Sequence, residues 1–308
     1  MLTGISPQKI LQETEIVRKR SSTMSATAST ANANLRSIIH DLEIAAPPAA
    51  VWKALTDVKE LIQWLSLDAR VKPGVGGSIW VSWGGNHMEE SEIEVWEPNS
   101  HLRTRETSPF GAFIQPPDFV NMPPRYLDYT LTPGEGTTAL HLEYSGFGTG
   151  PEWDLVFQQI DAPFEFHLST LKFYLETHTG KERSVSWART VFRSSQEEAW
   201  RRLAGPQGFL REGSVDGLKK GDRYSIGAAN GDRFSGVVLS NHPGQQFGGT
   251  AENLNNSVIR FAATGCSGIS SASAWLGSYG PKHPDAHLFE HRWTNLLDTI
   301  MKDPPAGQ

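Results

Sequence analysis

Five glutamates lie close together between residues 89 and 97, and two arginines follow on the next predicted strand. Because side chains alternate across a strand, Glu90, Glu92 and Glu94 are expected to share one face with Trp96. Three carboxylates facing a cavity would suit general acid–base chemistry. The alternative is a solvated outer face, on which the glutamates pair with the arginines and each pair contributes little stability. We favour the outer face, because charged side chains are rarely buried.

Three of the ten histidines, His283, His287 and His291, follow one another at intervals of four residues. Two histidines at this spacing on one helix face can bind zinc when a third ligand comes from elsewhere. The glutamate that directly follows the first histidine in metalloproteases is missing, and no cysteine accompanies the series. We therefore interpret it as the start of a surface helix and predict no metal site. His167, beside an apolar helical stripe, is the better candidate for a cavity.

Motifs for nucleophilic catalysis or nucleotide binding are absent from the sequence. Neither Gly-x-Ser-x-Gly, nor a P-loop, nor a dinucleotide-binding fingerprint occurs. Gly227 and Gly231 fall in a predicted hairpin without a following helix, so they cannot hold a phosphate at a helix N-terminus. A single cysteine, Cys266, excludes an intramolecular disulfide and suits a reducing compartment. We predict no cofactor and a cytoplasmic location.

The net charge of −6 is unevenly distributed along the chain. Residues 35–180 carry 9 basic and 20 acidic side chains, whereas residues 181–308 carry 15 and 12. Neutralisation of phosphates supplies much of the affinity for nucleic acids, so the acidic half argues against binding them. The other half has no basic run longer than a pair. No apolar run approaches the roughly 18 residues that span a bilayer, so no membrane span is predicted.

The elements that would position these side chains occur twice. Residues 35–45 predict a strand, Pro47 and Pro48 begin a short amphipathic helix, and a long helix at about 152–177 closes the first copy. A weaker copy begins at about residue 184 and closes with a helix at about 284–301. Strands are predicted at about 77–83, 88–97, 100–107, 125–132 and 138–145, and again at about 184–193, 222–228, 233–240, 245–251, 256–263 and 268–276. Pro163 predicts a kink or a break in the first long helix.

The order Pro-x-x-x-Val-Trp-x-Ala-Leu-Thr-Asp, Leu-x-x-Trp, Gly-Gly and Glu-Pro-x-x-x-Leu resembles the family of the C-terminal domain of the heat-shock protein 90 ATPase activator. That family belongs to the START-like, or SRPBCC, superfamily. The resemblance rests on Val51, Trp52, Ala54, Leu55, Thr56, Asp57, Leu61, Trp64, Gly76, Gly77, Pro98 and Leu102. The second copy keeps Ala199, Trp200, Leu203 and the final helix, but lacks the Gly-Gly pair and the Glu-Pro turn. The resemblance implies an α+β fold of two tandem helix-grip domains, each a curved antiparallel sheet wrapped on a long C-terminal helix.

We expect a disordered tail over residues 1–34, a first START-like domain over 35–180 and a diverged second one over 181–308. The tail is rich in Ser, Thr, Ala and Asn without an apolar period, a composition that cannot offset its ordering entropy. Met24 is then expected as the true initiator. Ser108 to Pro124 forms a long, apolar, proline-rich insertion between two strands. We interpret it either as a lid over a cavity mouth or as a segment that packs on the second domain.

The resemblance implies a cavity between sheet and long helix. We expect the first domain to bind a small hydrophobic or amphipathic molecule there without catalysis, and the second domain to be mainly structural. The candidate cavity residues are Trp52, Trp64, Trp80, Trp96, Phe110, Phe113, Phe157, Phe164, His167, Leu168 and Leu171. Two alternatives stay open. One is a co-chaperone-like ATPase activator that binds a chaperone or another protein. The other is a cyclase- or hydrolase-like enzyme that uses His167 with Glu143 or Tyr144.

Overall fold

The computed structural model describes residues 35–84, 87–107, 123–266, 268–281 and 286–302. These residues form two seven-stranded antiparallel sheets, one from each half of the chain. The first sheet contains β1 (Arg36–Ile44), β2 (Asp68–Lys72), β3 (Ser78–Gly84), β4 (His87–Glu97), β5 (His101–Glu106), β6 (Tyr126–Pro133) and β7 (Thr138–Phe147). The second contains β8 (Arg183–Arg193), β9 (Leu210–Glu212), β10 (Arg223–Ala228), β11 (Arg233–His242), β12 (Gln246–Ala251), β13 (Ser257–Cys266) and β14 (Ile269–Tyr279). The α-helices are α1 (Pro48–Thr56), α2 (Val58–Trp64), α3 (Asp154–Phe173), α4 (Gln196–Ala204) and α5 (Ala286–Ile300).

The two sheets have the same topology. The strand order is β1-β7-β6-β5-β4-β3-β2 in the first and β8-β14-β13-β12-β11-β10-β9 in the second. In each copy a helix follows the first strand and a long helix follows the last. The expected α+β architecture of two tandem helix-grip domains is confirmed. The boundaries at residues 35–180 and 181–308 stay predictions, and the proposed tail over residues 1–34 lies outside the described residues.

The helices α1 and α2 place one tryptophan under the first sheet. Pro48 begins α1, where the missing N–H costs no hydrogen bond. The Asp57 side chain accepts from the backbone N–H of Lys59 and caps α2. Trp64 ends α2 and is almost fully buried, and its indole Nε1 donates to the carbonyl of Ala54 at 2.9 Å. This hydrogen bond satisfies the buried indole N–H and ties α2 to α1.

A β-bulge in β4 changes the expected face of the glutamate cluster. Ile93 pairs with Thr104, but Val95 pairs with Arg103, so one extra residue enters β4 between them. Beyond the bulge Trp96 turns inward, whereas Glu94 forms ion pairs with arginines of β5 on the outer face. The favoured outer-face interpretation therefore describes Glu94, and the expectation that Trp96 shares its face is wrong. The bulge shifts the register of β4 by one residue, and the sequence pattern of this strand does not indicate it.

Helix α3 lies between the two sheets. Leu168 and Leu171 pack into the core of the first domain. On another side, the Phe166 ring lies 5.8 Å from the Trp275 ring of the second sheet, measured between centres. A Cβ atom on Gly248 would approach the Phe166 ring to 2.4 Å, so the glycine makes room for the helix. The helix is unbroken at Pro163 and continues into a π-helical turn over Tyr174–His178.

Hydrogen bonds from the second sheet join the two domains. Gln246 Nε2 donates to the carbonyl of Ala162 on α3 at 2.6 Å, and both groups are buried. The Tyr279 hydroxyl donates to the carbonyl of Gln63 at 2.9 Å, and the backbone N–H of Arg183 donates to the Gln63 side chain at 2.6 Å. Buried hydrogen bonds of this kind are costly to break, because each lost partner leaves a desolvated polar group. The first domain therefore covers part of the second sheet.

Both faces of the second sheet are covered around β13 and β14. On one face Phe261 packs against Trp293 of α5, with 4.8 Å between ring centres. Side chains alternate along β13, so Arg260 and Ala262 point to the opposite face, toward α3 and the first domain. On β14 the same alternation separates Trp275 from the core residues beside it. The second sheet thus contributes one face to its own core and the other to the boundary between the domains.

Candidate functional site

A cavity of about 270 Å³ lies between the core face of the first sheet, helix α3 and the outward face of the second sheet. Most of its lining is aromatic or aliphatic and comes from both domains. The apolar lining includes Leu61, Trp64, Val81, Trp83, Leu102, Leu127, Phe164, Phe166, Leu168, Trp187, Ala262 and Trp275. Mostly apolar cavities with a few polar groups are typical of small-molecule sites.

One part of the cavity wall, on β4 to β7, carries a buried acidic network. Arg125 and Glu106 form an ion pair in which each side chain is 6% exposed. The Tyr144 hydroxyl donates a hydrogen bond to the other carboxylate oxygen of Glu106. Burial and the charge of Glu106 raise the pKa of Glu89 to about 8, although Arg125 opposes the shift. Burial, with the two glutamates, also raises the pKa of Tyr129. At neutral pH the Glu89 carboxyl is therefore mostly protonated and can donate a hydrogen bond.

The second domain contributes a separate, basic part of the wall, where Arg183, Arg189 and Arg260 line the cavity. The guanidinium of Arg260 lies 5.3 Å from the centre of the Phe166 ring, and Arg183 Nη2 donates to the carbonyl of Ser66 at 2.6 Å. Burial lowers the pKa of Arg260 to about 10, which leaves it charged at neutral pH. Within the described residues, neither Arg183 nor Arg260 forms an ion pair with a carboxylate.

Two histidines line the same cavity. Burial, followed by the charges of Arg189 and Arg260, lowers the pKa of His87 to about 4. Burial, followed mainly by the charge of Arg260, lowers the pKa of His167 well below its usual value. Both rings are therefore neutral at pH 7. The Trp83 ring centre lies 4.8 Å from His87 and 6.1 Å from His167. Among the described residues, the buried Nδ1 of His167 has no hydrogen-bond partner.

Part of the predicted cavity set lines this cavity, namely Trp64, Phe164, His167 and Leu168. Residues 108–122, with Phe110 and Phe113, lie outside the described part of the chain. Neither interpretation of that insertion is therefore tested, and contact of the four lining residues with a ligand stays a prediction.

The other predicted cavity residues are placed elsewhere. Trp52 and Trp96 pack edge to face under the first sheet, with 5.0 Å between ring centres, and Leu171 is fully buried in the same core. Phe157 packs against Phe147 in a satellite cluster. The Trp80 ring carries the guanidinium of an arginine at 4.4 Å. These residues were predicted to line the cavity because they are apolar. Apolar side chains fill a core as readily as they line a cavity, so this property does not separate the two.

The residues proposed for catalysis do not all line the cavity. Tyr144 and His167 both line the cavity. Glu143 accepts a hydrogen bond from the Ser37 hydroxyl at 2.7 Å, on the strand face opposite to Tyr144. Among the histidines spaced like zinc ligands, His291 Nε2 lies 3.2 Å from Asn295 Nδ2. His283 lies outside the described residues. Over the described ranges, no group of three or more His, Cys, Asp or Glu side chains could hold a metal ion.

Several lining residues were not predicted from the sequence: Trp83, Glu89, Glu106, Arg125, Trp187, Arg260 and Trp275. For two of them, the sequence contains a pattern that indicates burial. Arg260 interrupts the apolar run Val-Ile-Arg-Phe-Ala-Ala, which predicts a strand covered on both faces with one buried charge. Glu89 has the same strand parity as the buried Ser91 and Ile93, which places it on the core face.

The fold and cavity define a tandem helix-grip protein of the α+β class. Residues 45–176 match the family model described as "Activator of Hsp90 ATPase homolog 1-like protein". The resemblance stated from the sequence is therefore confirmed for the first domain, and the match does not extend over the second. No match is found among curated proteins.

Three solved structures illustrate the similarity. A protein from Mesorhizobium loti is 26% identical, covering 46% of this chain and 98% of its own, with a TM-score of 0.39. The Aha1 dimer from Colwellia psychrerythraea is 20% identical, covering 47% of this chain and 99% of its own, with a TM-score of 0.39. The di-domain ARO/CYC BexL from the BE-7585A biosynthetic pathway is 12% identical, covering 89% of this chain and 99% of its own, with a TM-score of 0.41.

None of the helices in the described part of the chain combines the length and apolarity needed to cross a membrane.

Proposed function

We propose that this protein binds a small hydrophobic or amphipathic molecule in the cavity between its two domains and does not transform it. The observation that carries the proposal is the cavity of about 270 Å³ with its mainly apolar, aromatic-rich lining. This volume is slightly below the ~300–1,000 Å³ typical of ligand sites. The expected ligand is therefore compact, with one to a few rings or a short chain.

In this proposal the second domain takes part in binding. The sequence placed the ligand in the first domain alone, with the second domain as a structural partner. Trp187, Arg260 and Trp275 of the second sheet line the same cavity as Trp64 and Phe164 of the first domain. A ligand filling the space would contact both domains, so binding is expected to stabilise their association.

Native mass spectrometry of the purified full chain, with organic extraction, tests the proposal. We expect a retained small molecule, or a rise in Tm with members of a panel of apolar and aromatic compounds. Ser273→Phe should fill the cavity from β14 and abolish binding. Thr132→Phe, on the exposed surface of β6, is the matched control and should bind normally. Absence of a retained ligand together with no thermal shift for any compound would contradict the proposal.

A second candidate function is activation of a chaperone ATPase through protein binding, and the family match of residues 45–176 favours it. Such a role needs an exposed contact surface and does not depend on a ligand in the cavity. The chain is therefore expected to raise the ATPase rate of a heat-shock protein 90 chaperone, and Ser273→Phe to raise it equally. An unchanged ATPase rate, with no capture of the chaperone by the immobilised chain, would remove this candidate. A cytoplasmic location stays a prediction under both functions.

The buried network around Glu89 favours a cavity enzyme as a third candidate. A carboxyl with a pKa of about 8 beside the Glu106–Arg125 pair could deliver a proton to a bound substrate at neutral pH. Incubation of the extracted ligand with the protein tests this idea. Turnover that Glu89→Gln reduces by a factor of 10² or more would support an enzyme. A chemically unchanged ligand would support binding alone.

A further inference from the structure

We propose that the ligand of this cavity carries a carboxylate, and that Arg260 binds it while Arg183 adds to the positive potential. This inference rests on the proposed binding function and narrows it to an aromatic or alicyclic acid. It also assigns the recognition of the charged group to the second domain.

The first argument is the missing counter-charge. A buried cation is costly unless a carboxylate or a ligand compensates it. Arg183 and Arg260 have no ion-pair partner among the described residues. Nε and Nη1 of Arg183 are buried without any hydrogen-bond partner there. The protein therefore maintains positive charge beside an apolar cavity, where an anion would lower the electrostatic cost.

The second argument is that Arg260 is held in place with donors still free. Its Nε donates to Gln246 Oε1 at 2.8 Å, and its guanidinium lies over the Phe166 ring. Gln246 is itself fixed, because its Nε2 donates to the carbonyl of Ala162 at 2.6 Å and to the Ser240 hydroxyl at 2.8 Å. Within the described residues, the two Nη nitrogens of Arg260 make no hydrogen bond. A planar guanidinium with both Nη groups available is suited to a carboxylate.

The third argument is that the cavity is polarised. Glu89 and Glu106 lie on β4 and β5 of the first sheet, whereas the cavity-lining arginines of the second domain lie on β8 and β13. The acidic network and the second-domain arginines thus act on different parts of the wall. Glu106 is already engaged by Arg125, so it does not neutralise the basic part. An acid bound with its carboxylate at Arg260 would place its apolar body against the tryptophans and phenylalanines.

A matched pair of probes tests the inference on the full-length protein: 2-naphthoate and neutral 2-naphthalenemethanol. Quenching of tryptophan fluorescence reports binding, because Trp64, Trp83, Trp187 and Trp275 line the cavity. We expect the wild-type protein to bind 2-naphthoate at least ten times more tightly than the alcohol. In Arg260→Met this preference should disappear while affinity for the alcohol is kept. Arg260→Lys, which keeps the charge, should retain part of it.

Arg70→Met is the matched control, because Arg70 lies over the Trp80 ring outside the cavity and should leave the preference unchanged. Equal affinity of the wild-type protein for the two probes would overturn the carboxylate assignment and leave the proposed binding function intact. Binding of neither probe, with no ligand retained on purification, would overturn both. An equal loss of preference in Arg70→Met and Arg260→Met would also overturn the assignment, since it would trace the effect to overall charge. If Arg260→Met does not fold, the wild-type comparison of the two probes decides the matter.

Discussion

Glu89 should give the wild-type protein a pH dependence opposite to that of a usual carboxylate, and the Glu89→Gln substitution should remove it. Glu89 has its pKa raised from 4.5 to about 8, so the folded protein keeps a proton that the unfolded chain releases between these pH values. Stability contributed by this group is therefore full below pH 4.5, falls as the pH rises and is lost by about pH 8. At ~1.4 kcal/mol per pH unit this interval corresponds to roughly 5 kcal/mol. Water entering the cavity would solvate the ionised form, so we expect about 2–3 kcal/mol.

Glutamine mimics the protonated carboxyl and does not titrate. Urea unfolding followed by tryptophan fluorescence at pH 5 to 9 measures the difference between Glu89→Gln and the wild-type protein. We expect the two to be equally stable at pH 5, and the variant to be more stable by about 2–3 kcal/mol at pH 8.5. Glu94→Gln, which removes two outer-face ion pairs on the same strand, should give a small offset that varies little with pH. A stability difference for Glu89→Gln that is flat from pH 5 to 9 would refute the placement of a protonated carboxyl in the cavity.

Three further substitutions test how the domains are joined and packed. Tyr279→Phe removes the hydroxyl that donates to Gln63 and should lower the free energy of unfolding by about 1–2 kcal/mol; no change would indicate that the hydrogen bond is absent in solution. Trp293→Ala removes a side chain with 0% exposure and should cost about 3–5 kcal/mol in urea unfolding; a loss below 1 kcal/mol would argue against its central place in the second core. Gly248→Ala should cost about 1–3 kcal/mol through contact with Phe166, and a neutral effect would mean that α3 does not pack on β12.

The sequence by itself determined the repeated architecture. Period-two and helical patterns, the prolines before α1 and the glycine turns placed most strands and the long helices within a few residues of their observed bounds. They missed β2 and β9, which have five and three residues, because such short strands carry little periodic signal. These patterns are local, since they reflect which side of an element is buried. They are therefore visible without knowledge of the neighbours.

Only the tertiary structure decided which buried residues surround a cavity. Leu171 and Leu168 lie three residues apart on α3, have the same chemistry and are both buried in the core, yet only Leu168 also lines the cavity. Arg260 faces the cavity only because the first domain covers the outward face of the second sheet. The bulge in β4 likewise turned Trp96 inward and left Glu94 outside. The physical reason is that the hydrophobic pattern around a residue indicates whether its side chain is buried. A cavity arises where surfaces from distant parts of the chain fit imperfectly, and a local pattern does not show that fit.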